Sequence, residues 1–213
     1  MNFKKSLELY ERAKRVVPSA TQTFSKGPRQ YPLGAAPIYL ERGEGSHVWD
    51  VDGNEFIDYP MGLGSVLLGH NHPAVNEAVE RQLRRGVNFT LNASLEVEVA
   101  EALPRLIPCA EMVRFGKNGS DVTAGAIRAA RAYTGREHIA CCGYHGWQDW
   151  YICTTTRDKG VPRFNKGLIH PFCYNDLDSL REIFREHPGE IAAVIMEPVV
   201  LDEPTPGLSL IHI

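Results

Sequence analysis

Apolar residues recur along this chain at two different spacings, and the two spacings predict a mixture of helices and strands. Apolar positions three to four residues apart predict helices over 3–16, 73–85, 94–106, 121–134 and 176–185. Short apolar runs predict strands over 38–41, 46–50, 55–59, 112–115, 138–142 and 191–196. From residue 112 onward strands and helices alternate, which favours an α/β fold with a mostly parallel sheet.

Two short motifs resemble metal sites, but each has a plainer interpretation. The acidic run at 50–54 matches the first positions of a calcium loop, yet the remaining ligand positions are missing. Its Asp52-Gly53 pair lies between two apolar runs and predicts a β-hairpin instead. His70 and His72 are spaced as two metal ligands, but no third ligand is near them in the sequence. We expect these histidines to form a turn before a helix, and we predict no metal site.

The composition is that of an ordinary globular protein. The 213 residues are 43% hydrophobic and 23% charged, with a formal net charge of −3, so neither nucleic acid nor an anionic membrane is indicated as a partner. No apolar run approaches a transmembrane span, and residues 1–17 lack the apolar core of a signal peptide. The five cysteines include no Cys-x-x-Cys pair, and the adjacent Cys141 and Cys142 should point to opposite faces of a strand. We therefore expect a cytoplasmic protein with reduced thiols.

The candidate chemistry is concentrated in one segment, 112–147. A predicted strand at 112–115 is followed by Asn118, Gly119 and Ser120, and then by a predicted helix. A helix that starts after a glycine-containing turn exposes backbone N–H groups at the positive end of its dipole, which suits a phosphate group. Gly119 allows close approach of the backbone, and Ser120 adds a hydroxyl donor. The plainer alternative is a capped helix that follows a core strand.

Two further predicted strands end in residues that suit the same site. The strand at 138–142 leads into Gly143-Tyr144-His145-Gly146, and the strand at 191–196 leads into Glu197. Parallel strands open at their carboxyl ends onto one crevice, so Tyr144 would lie beside the phosphate turn with its ring free to stack on a flat cofactor. Glu197 would be a carboxylate placed for chemistry. The alternative is a solvated or ion-paired acid at the end of a strand.

Three motifs in this order resemble class III aminotransferases, and among them glutamate-1-semialdehyde 2,1-aminomutase. They are Asn-Gly-Ser-Asp at 118–121, where the family usually has Ser-Gly-Thr-Glu, the run at 126–136, and Tyr-His-Gly at 144–146. The resemblance implies a three-layer, fold type I α/β protein that binds pyridoxal 5′-phosphate (PLP). The residues that it assigns to the cofactor are Asn118, Gly119 and Ser120 for the phosphate, Tyr144 for ring stacking, and His145. It places Glu197 on the substrate side, because the family has Glu-Pro at this point.

The resemblance implies transfer of an amino group from a small-molecule amine donor to an aldehyde or keto acceptor. In the aminomutase a loop arginine recognises the substrate carboxylate, and Ser25 takes its place here. A tryptophan of the aminomutase glycine loop is replaced by Leu63. Loss of a bidentate carboxylate partner changes recognition, so these departures argue against strict glutamate-1-semialdehyde mutase activity. The alternatives are another fold type I PLP enzyme, such as a racemase or decarboxylase, and a non-catalytic fragment that binds a phosphate ligand.

The resemblance also implies a division into incomplete domains. Residues 1–60 correspond to the amino-terminal helix and hairpin of a small domain, and 61–207 to part of a large PLP-binding domain. Because the chain matches an amino-terminal half, the Schiff-base lysine and the aspartate that pairs with the pyridine nitrogen are expected outside it, and the fragment should be inactive alone. Lys117 is expected at the phosphate end. The full-length protein is expected to be a homodimer, and 208–213 resembles a translated cloning adapter.

Overall fold

The computed structural model describes residues 1–200 and 202–205, and the chain divides into two compact units, Met1–Ala93 and Ser94–Ile213. The helices are α1 (Lys4–Val16), α2 (Met61–Gly64), α3 (Pro73–Leu83), α4 (Ser94–Leu106), α5 (Gly119–Thr134), α6 (Asp149–Ile152), α7 (Arg163–Lys166) and α8 (Leu177–Glu186). The strands are β1 (Leu40–Glu44), β2 (His47–Asp50), β3 (Glu55–Ile57), β4 (His138–Cys142), β5 (Ile169–Pro171) and β6 (Ile191–Met196). Short 3-10 turns lie at Pro18–Ala20, Phe24–Lys26 and Pro28–Gln30. Among the described residues, no helix combines the length and the apolarity that crossing a membrane requires.

The expected domain boundary at residue 60 remains a prediction about the complete protein. The segment 208–213, interpreted above as an adapter, lies outside the described residues.

In the first unit, β1, β2 and β3 form an antiparallel meander, which confirms the predicted hairpin. Gly53, at φ +87°, supplies the left-handed residue of the β2–β3 turn. The buried Asp50 carboxylate closes this turn, because its Oδ1 accepts a hydrogen bond from the Asp52 N–H at 3.0 Å. The Asp52 carboxylate accepts bonds from the N–H groups of Lys5 and Ser6 at 2.7 and 2.8 Å. The acidic run of this turn therefore joins the hairpin to the start of α1.

In the second unit, β4 lies between β5 and β6, and all three strands are parallel. Alternate residues of β4 belong to two separate core clusters. Cys141 lies in the cluster that includes Ile127 of α5, and Cys142 in the cluster that includes Ile183 of α8. A helix therefore covers each face of the sheet, as the predicted three-layer α/β fold requires. Burial raises the pKa of the Cys141 thiol to about 12, so this thiol stays protonated.

The prediction of a strand at 112–115 is wrong. The segment has no regular structure, and Met112 is 94% exposed. A strand needs a neighbour to satisfy its backbone groups, and apolar spacing alone does not supply one. Both sides of β4 are taken by β5 and β6, and within the described chain the segment forms no ladder with the outer edge of either strand.

Apolar spacing also misses short elements of the second unit. Strand β5 has only three residues and ends at Pro171, which is too short a run to show a period. The polar stretch 148–166, whose apolar residues show no clear period, contains the one-turn helices α6 and α7.

Three histidines lie at one end of the α8-side core, and we call them the histidine cluster: His138, His170 and His187. His138 Nδ1 is 2.8 Å from His170 Nε2. The His187 ring centroid is 4.5 Å from that of His138 and 4.1 Å from that of His170. Burial lowers the pKa of His170, and His187 and His138 lower it further, while Glu186 opposes the shift.

We expect the protein to lose stability as the pH falls below the ordinary histidine pKa of 6.5. Because folded His170 has a lower pKa, the unfolded state binds more protons between the two values. The free energy of unfolding therefore decreases as the pH falls from 6.5 towards the folded pKa. Urea unfolding at a series of pH values, followed by circular dichroism, measures this slope, and His170→Gln should flatten it. His47→Gln, which removes a more exposed histidine, is the control. An unchanged slope in His170→Gln would contradict the assignment.

Candidate functional site

The start of α5 is capped by Asn118, whose backbone is extended at φ −151° and ψ 171°. Its Oδ1 accepts a hydrogen bond from the N–H of Asp121 at 3.1 Å. In this N-cap geometry a side-chain oxygen satisfies one of the N–H groups that a helix leaves unpaired. Among the described residues, the N–H groups of Gly119 and Ser120 have no hydrogen-bond partner. Two donors therefore remain at the positive end of the α5 dipole.

The turn that follows β4 lies against the start of α5. The backbone N–H of Trp147 donates to Ser120 Oγ at 3.3 Å, and Thr123 Oγ1 donates to the carbonyl oxygen of His145 at 2.8 Å. The approach is so close that a Cβ on Gly146 would lie 2.9 Å from Ser120 Cβ and 3.0 Å from Ser120 Cα. Gly146 also has a φ of +113°, a conformation that only glycine adopts readily. The turn after β4 and the turn before α5 therefore meet at one place.

Tyr144 lies in this turn and is 63% exposed. Its ring is perpendicular to the buried Tyr151 ring, with the two centroids 5.6 Å apart. The Tyr151 hydroxyl donates to the Gly143 carbonyl oxygen at 2.7 Å, which fixes the start of the turn. Burial raises the pKa of Tyr151, so this hydroxyl keeps its proton and remains a donor. Tyr144 therefore presents an exposed ring on a turn that is fixed on both sides.

Glu197 directly follows β6 and reaches the same turn. Its backbone N–H donates to the Cys142 carbonyl oxygen at 3.2 Å, which extends the β4–β6 pairing by one residue. A Cβ on Gly143 would lie only 2.8 Å from Glu197 Cγ, so the side chain packs on the glycine. The carboxylate is partly buried and, within the described residues, has no hydrogen-bond or ion-pair partner. This geometry does not support the alternative of an ion-paired acid at a strand end.

His145 is buried on the core side of the turn, with 7% of its surface exposed. Its Nε2 is 2.9 Å from the Cys142 carbonyl oxygen. A carbonyl oxygen only accepts hydrogen bonds, so Nε2 carries the proton. The ring also lies against those of Trp150 and Tyr151, with centroids 6.1 and 5.3 Å away. Through these contacts His145 stabilises the turn. Its contact with a cofactor remains a prediction.

No sequence pattern singles out Thr123 or Tyr151, although both hold the Tyr144 turn in place. Thr123 lies inside α5, where a threonine carries no distinctive signal. Tyr151 lies in α6, in a polar stretch whose apolar residues show no clear period. The adjacent aromatic residues Trp150 and Tyr151 in an otherwise polar stretch are the available signal, because large aromatic side chains tend to be buried anchors.

The two residues assigned to the substrate belong to the first unit. Ser25 is exposed in the 3-10 turn Phe24–Lys26, and Leu63 is 53% exposed with a φ of +61°. Lys117 is exposed beside Asn118, at the start of the α5 turn. The roles of these side chains in binding remain predictions.

Residues 31–203 match the family model of the class-III aminotransferases, which is most of the chain. The chain belongs to this family. The resemblance drawn from the motifs is thereby confirmed, and the parallel sheet with a helix on each face is the corresponding part of a fold type I protein.

Individual relatives from different organisms match most of this class III chain. The 3-aminobutyryl-CoA aminotransferase of Cloacimonas acidaminovorans is 38% identical over 200 residues, which cover 93% of this chain and 47% of the relative. The glutamate-1-semialdehyde 2,1-aminomutase of Chloroflexus aurantiacus is 37% identical, covering 96% of this chain and 49% of the relative. The structure of the PLP internal aldimine form of the Sphingopyxis sp. MTA144 FumI protein superimposes with a TM-score of 0.82 at 34% identity, covering 90% of this chain and 45% of that one. The class III chain thus spans about half the length of the relatives that it matches.

Proposed function

We propose that the complete protein transfers an amino group between a small-molecule amine and an aldehyde or keto compound, with PLP as its cofactor. Two relatives are named as an aminotransferase and an aminomutase, and the FumI structure contains PLP. The observation that carries the proposal is the hydrogen bond from the Trp147 N–H to Ser120 Oγ. It joins a turn that presents an exposed aromatic ring, Tyr144, to a helix start that has free donors.

The start of α5 fits the phosphate group of PLP. The N–H groups of Gly119 and Ser120 have no hydrogen-bond partner within the described chain. They lie at the positive end of the α5 dipole and can donate to the phosphate oxygens. Ser120 Oγ accepts the Trp147 N–H, so its own proton stays available for a phosphate oxygen. The nearby Asp121 carboxylate is engaged within the cap, because its Oδ2 accepts a bond from Asn118 Nδ2 at 2.9 Å.

The remaining site residues fit the cofactor ring and the substrate amine. When bound, PLP supplies the electron sink that allows a bond to the amine carbon to break. The Tyr144 ring would cover one face of the cofactor ring and hold its orientation. The unpaired Glu197 carboxylate beside Gly143 would attract a cationic amine on the substrate side. This chain therefore contributes binding and orientation to the proposed reaction.

The proposal extends to the substrate and the assembly. We propose that Ser25 and Leu63 contact the substrate where the aminomutase has an arginine and a tryptophan, so that the preferred acceptor differs from glutamate 1-semialdehyde. A cytoplasmic homodimer is part of the same proposal, and it is based on the family resemblance.

We expect Ser120→Ala to weaken PLP binding by about 10- to 100-fold, because a hydrogen bond to a charged group contributes roughly 1.5–3 kcal/mol. Tyr144→Ala should weaken it by up to about tenfold through loss of aromatic stacking. Equilibrium dialysis of PLP against the purified protein measures both effects.

Tyr133→Ala is the matched control for Tyr144→Ala, because Tyr133 lies in the same unit on α5 and is 94% exposed. It should bind PLP as the wild type does, and circular dichroism should show that all variants are folded. Wild-type affinity in both Ser120→Ala and Tyr144→Ala would refute the proposed cofactor site.

A further inference from the structure

The histidine cluster lies at the opposite end of the sheet from the candidate cofactor site. Tyr144 and Glu197 follow the carboxyl ends of β4 and β6, whereas His138 is the first residue of β4. Four residue steps separate His138 from the end of β4, which is about 13 Å along the strand. The cluster is therefore separate from the site that would hold PLP. We propose that His138, His170 and His187 bind one divalent transition-metal ion, with Zn²⁺ as the best match.

The fold itself brings the three side chains together. His170 of β5 is in register with Ala140 of β4, and His138 lies two residues before Ala140, so both histidines point to the same face of the sheet. Helix α8 packs on that face through Ile183. His187 follows Ile183 by four residues, one helical turn, and its N–H donates to the Ile183 carbonyl oxygen at 3.0 Å. Two strands and one helix end thus supply one histidine each.

The ring nitrogens are spaced for a common ligand. One nitrogen from each of the three rings lies within 4.8 Å of one nitrogen from each of the others. His138 Nδ1 and His170 Nε2 are already 2.8 Å apart. Zinc–nitrogen bonds of about 2.0–2.1 Å in a tetrahedron separate ligand nitrogens by roughly 3.3 Å. Small rotations of the rings therefore suffice to place all three nitrogens around one ion.

A carboxylate stands where an outer partner of such a site is expected. Glu190 Oε2 is 3.2 Å from His187 Nδ1 and 3.7 Å from His138 Nε2. Metal-binding histidines commonly donate their second ring N–H to a carboxylate, which fixes the tautomer and orients the ring. With Glu190 on its Nδ1, His187 would present Nε2 to the metal. The carboxylate would also offset part of the ion's charge.

The close contact between two rings of the histidine cluster leaves a nitrogen lone pair for a metal ion. His138 Nδ1 and His170 Nε2 face each other at hydrogen-bond distance, so the two nitrogens cannot both carry a proton. At least one nitrogen lone pair is therefore already available to a metal ion. The His138 and His187 side chains are 20% and 22% exposed, which leaves access for the ion and for water as a fourth ligand.

No local motif signals this site, because the three histidines are separated by 32 and 17 residues in the chain. The competing interpretation is a hydrogen-bonded set of imidazoles that binds no metal. A metal-binding measurement distinguishes these two interpretations. Tetrahedral Co²⁺ gives a visible absorption band when it binds at a histidine site, and Zn²⁺ displaces it.

We expect the purified, metal-free protein, without added PLP, to bind one Co²⁺ per chain with a visible band that Zn²⁺ abolishes. His170→Gln and His187→Gln should each weaken Zn²⁺ binding by at least about 100-fold, and Glu190→Gln by about 10- to 100-fold. His47→Gln is the matched control, since His47 also lies beside a carboxylate, with Nδ1 2.8 Å from Glu55 Oε1. It should bind metal as the wild type does.

Circular dichroism should show that the variants are folded, and two variants on different elements guard against a local folding defect. Saturable binding that is lost in the cluster variants and kept in His47→Gln supports the metal site. Absence of saturable binding by the wild type would overturn it and leave the imidazole set without metal. Equal binding by the wild type and both cluster variants would also overturn it, because the ion would then be held elsewhere.

Discussion

Replacing Gly146 with alanine is expected to weaken PLP binding by about 100-fold or more, because the substitution separates the two turns that form the proposed site. Gly146 has a φ of +113°, which in an alanine costs roughly 1–3 kcal/mol. The added Cβ would also lie 3.0 Å from the backbone Cα of Ser120, and backbone cannot move aside cheaply. The turn must therefore withdraw from α5, and Tyr144 with it. Equilibrium dialysis of PLP measures the loss.

Gly160→Ala separates the two causes of the expected effect. Gly160 has a φ of +88°, but a Cβ on it would meet no atom within 4 Å. It should therefore lose some stability through backbone strain and keep its PLP affinity. If Gly146→Ala and Gly160→Ala bind PLP equally well, the contact between the Gly146 turn and the start of α5 does not form the cofactor site.

Ile139→Ala is expected to lower the free energy of unfolding by about 2–5 kcal/mol, which is typical of a truncated core side chain that leaves a cavity. Ile139 has no exposed surface and lies in β4, packed in the core cluster that includes Ile127 of α5. Because proteins of this kind are stable by only roughly 5–15 kcal/mol, the loss is a large share of the total. Urea unfolding followed by circular dichroism measures it.

Val194→Ala in β6 is the control for this substitution. Val194 is 38% exposed, so its truncation leaves no closed cavity and should cost less than about 1 kcal/mol. Equal losses in the two variants would show that β4 does not form the centre of the core.

The sequence predicts those helices and strands whose apolar pattern or capping residue lies within a few consecutive residues. The strands at 138–142 and 191–196 are found with the predicted ends, because their apolar residues are consecutive and are bounded by polar residues or glycine. Helix α5, predicted over 121–134, ends where predicted but begins two residues earlier, at Gly119, because Asn118 caps it there. In these cases the local preference and the tertiary environment agree.

What depends on contacts between distant segments does not follow from such patterns. The apolar run at 112–115 lacks a partner strand within the described chain, so it forms no ladder. The anchoring of the Tyr144 turn by Tyr151 depends on how α6 packs, which no spacing encodes. Likewise, the position of His187 next to His138 depends on the way α8 crosses the sheet. Residues with candidate chemical roles can be recognised in the sequence, whereas the contacts that hold them in place cannot.

The strand order of the second unit affects how the protein should be handled. Within the described residues, β6 lies at the border of the sheet and pairs only with β4, so the other row of its amide and carbonyl groups faces outward. Its six residues are all apolar. The strand therefore lacks the proline or charged residues that usually protect an edge strand from pairing with another chain. For this 213-residue chain, purification at low concentration is therefore the safer choice, because two copies of it can pair strand to strand at β6.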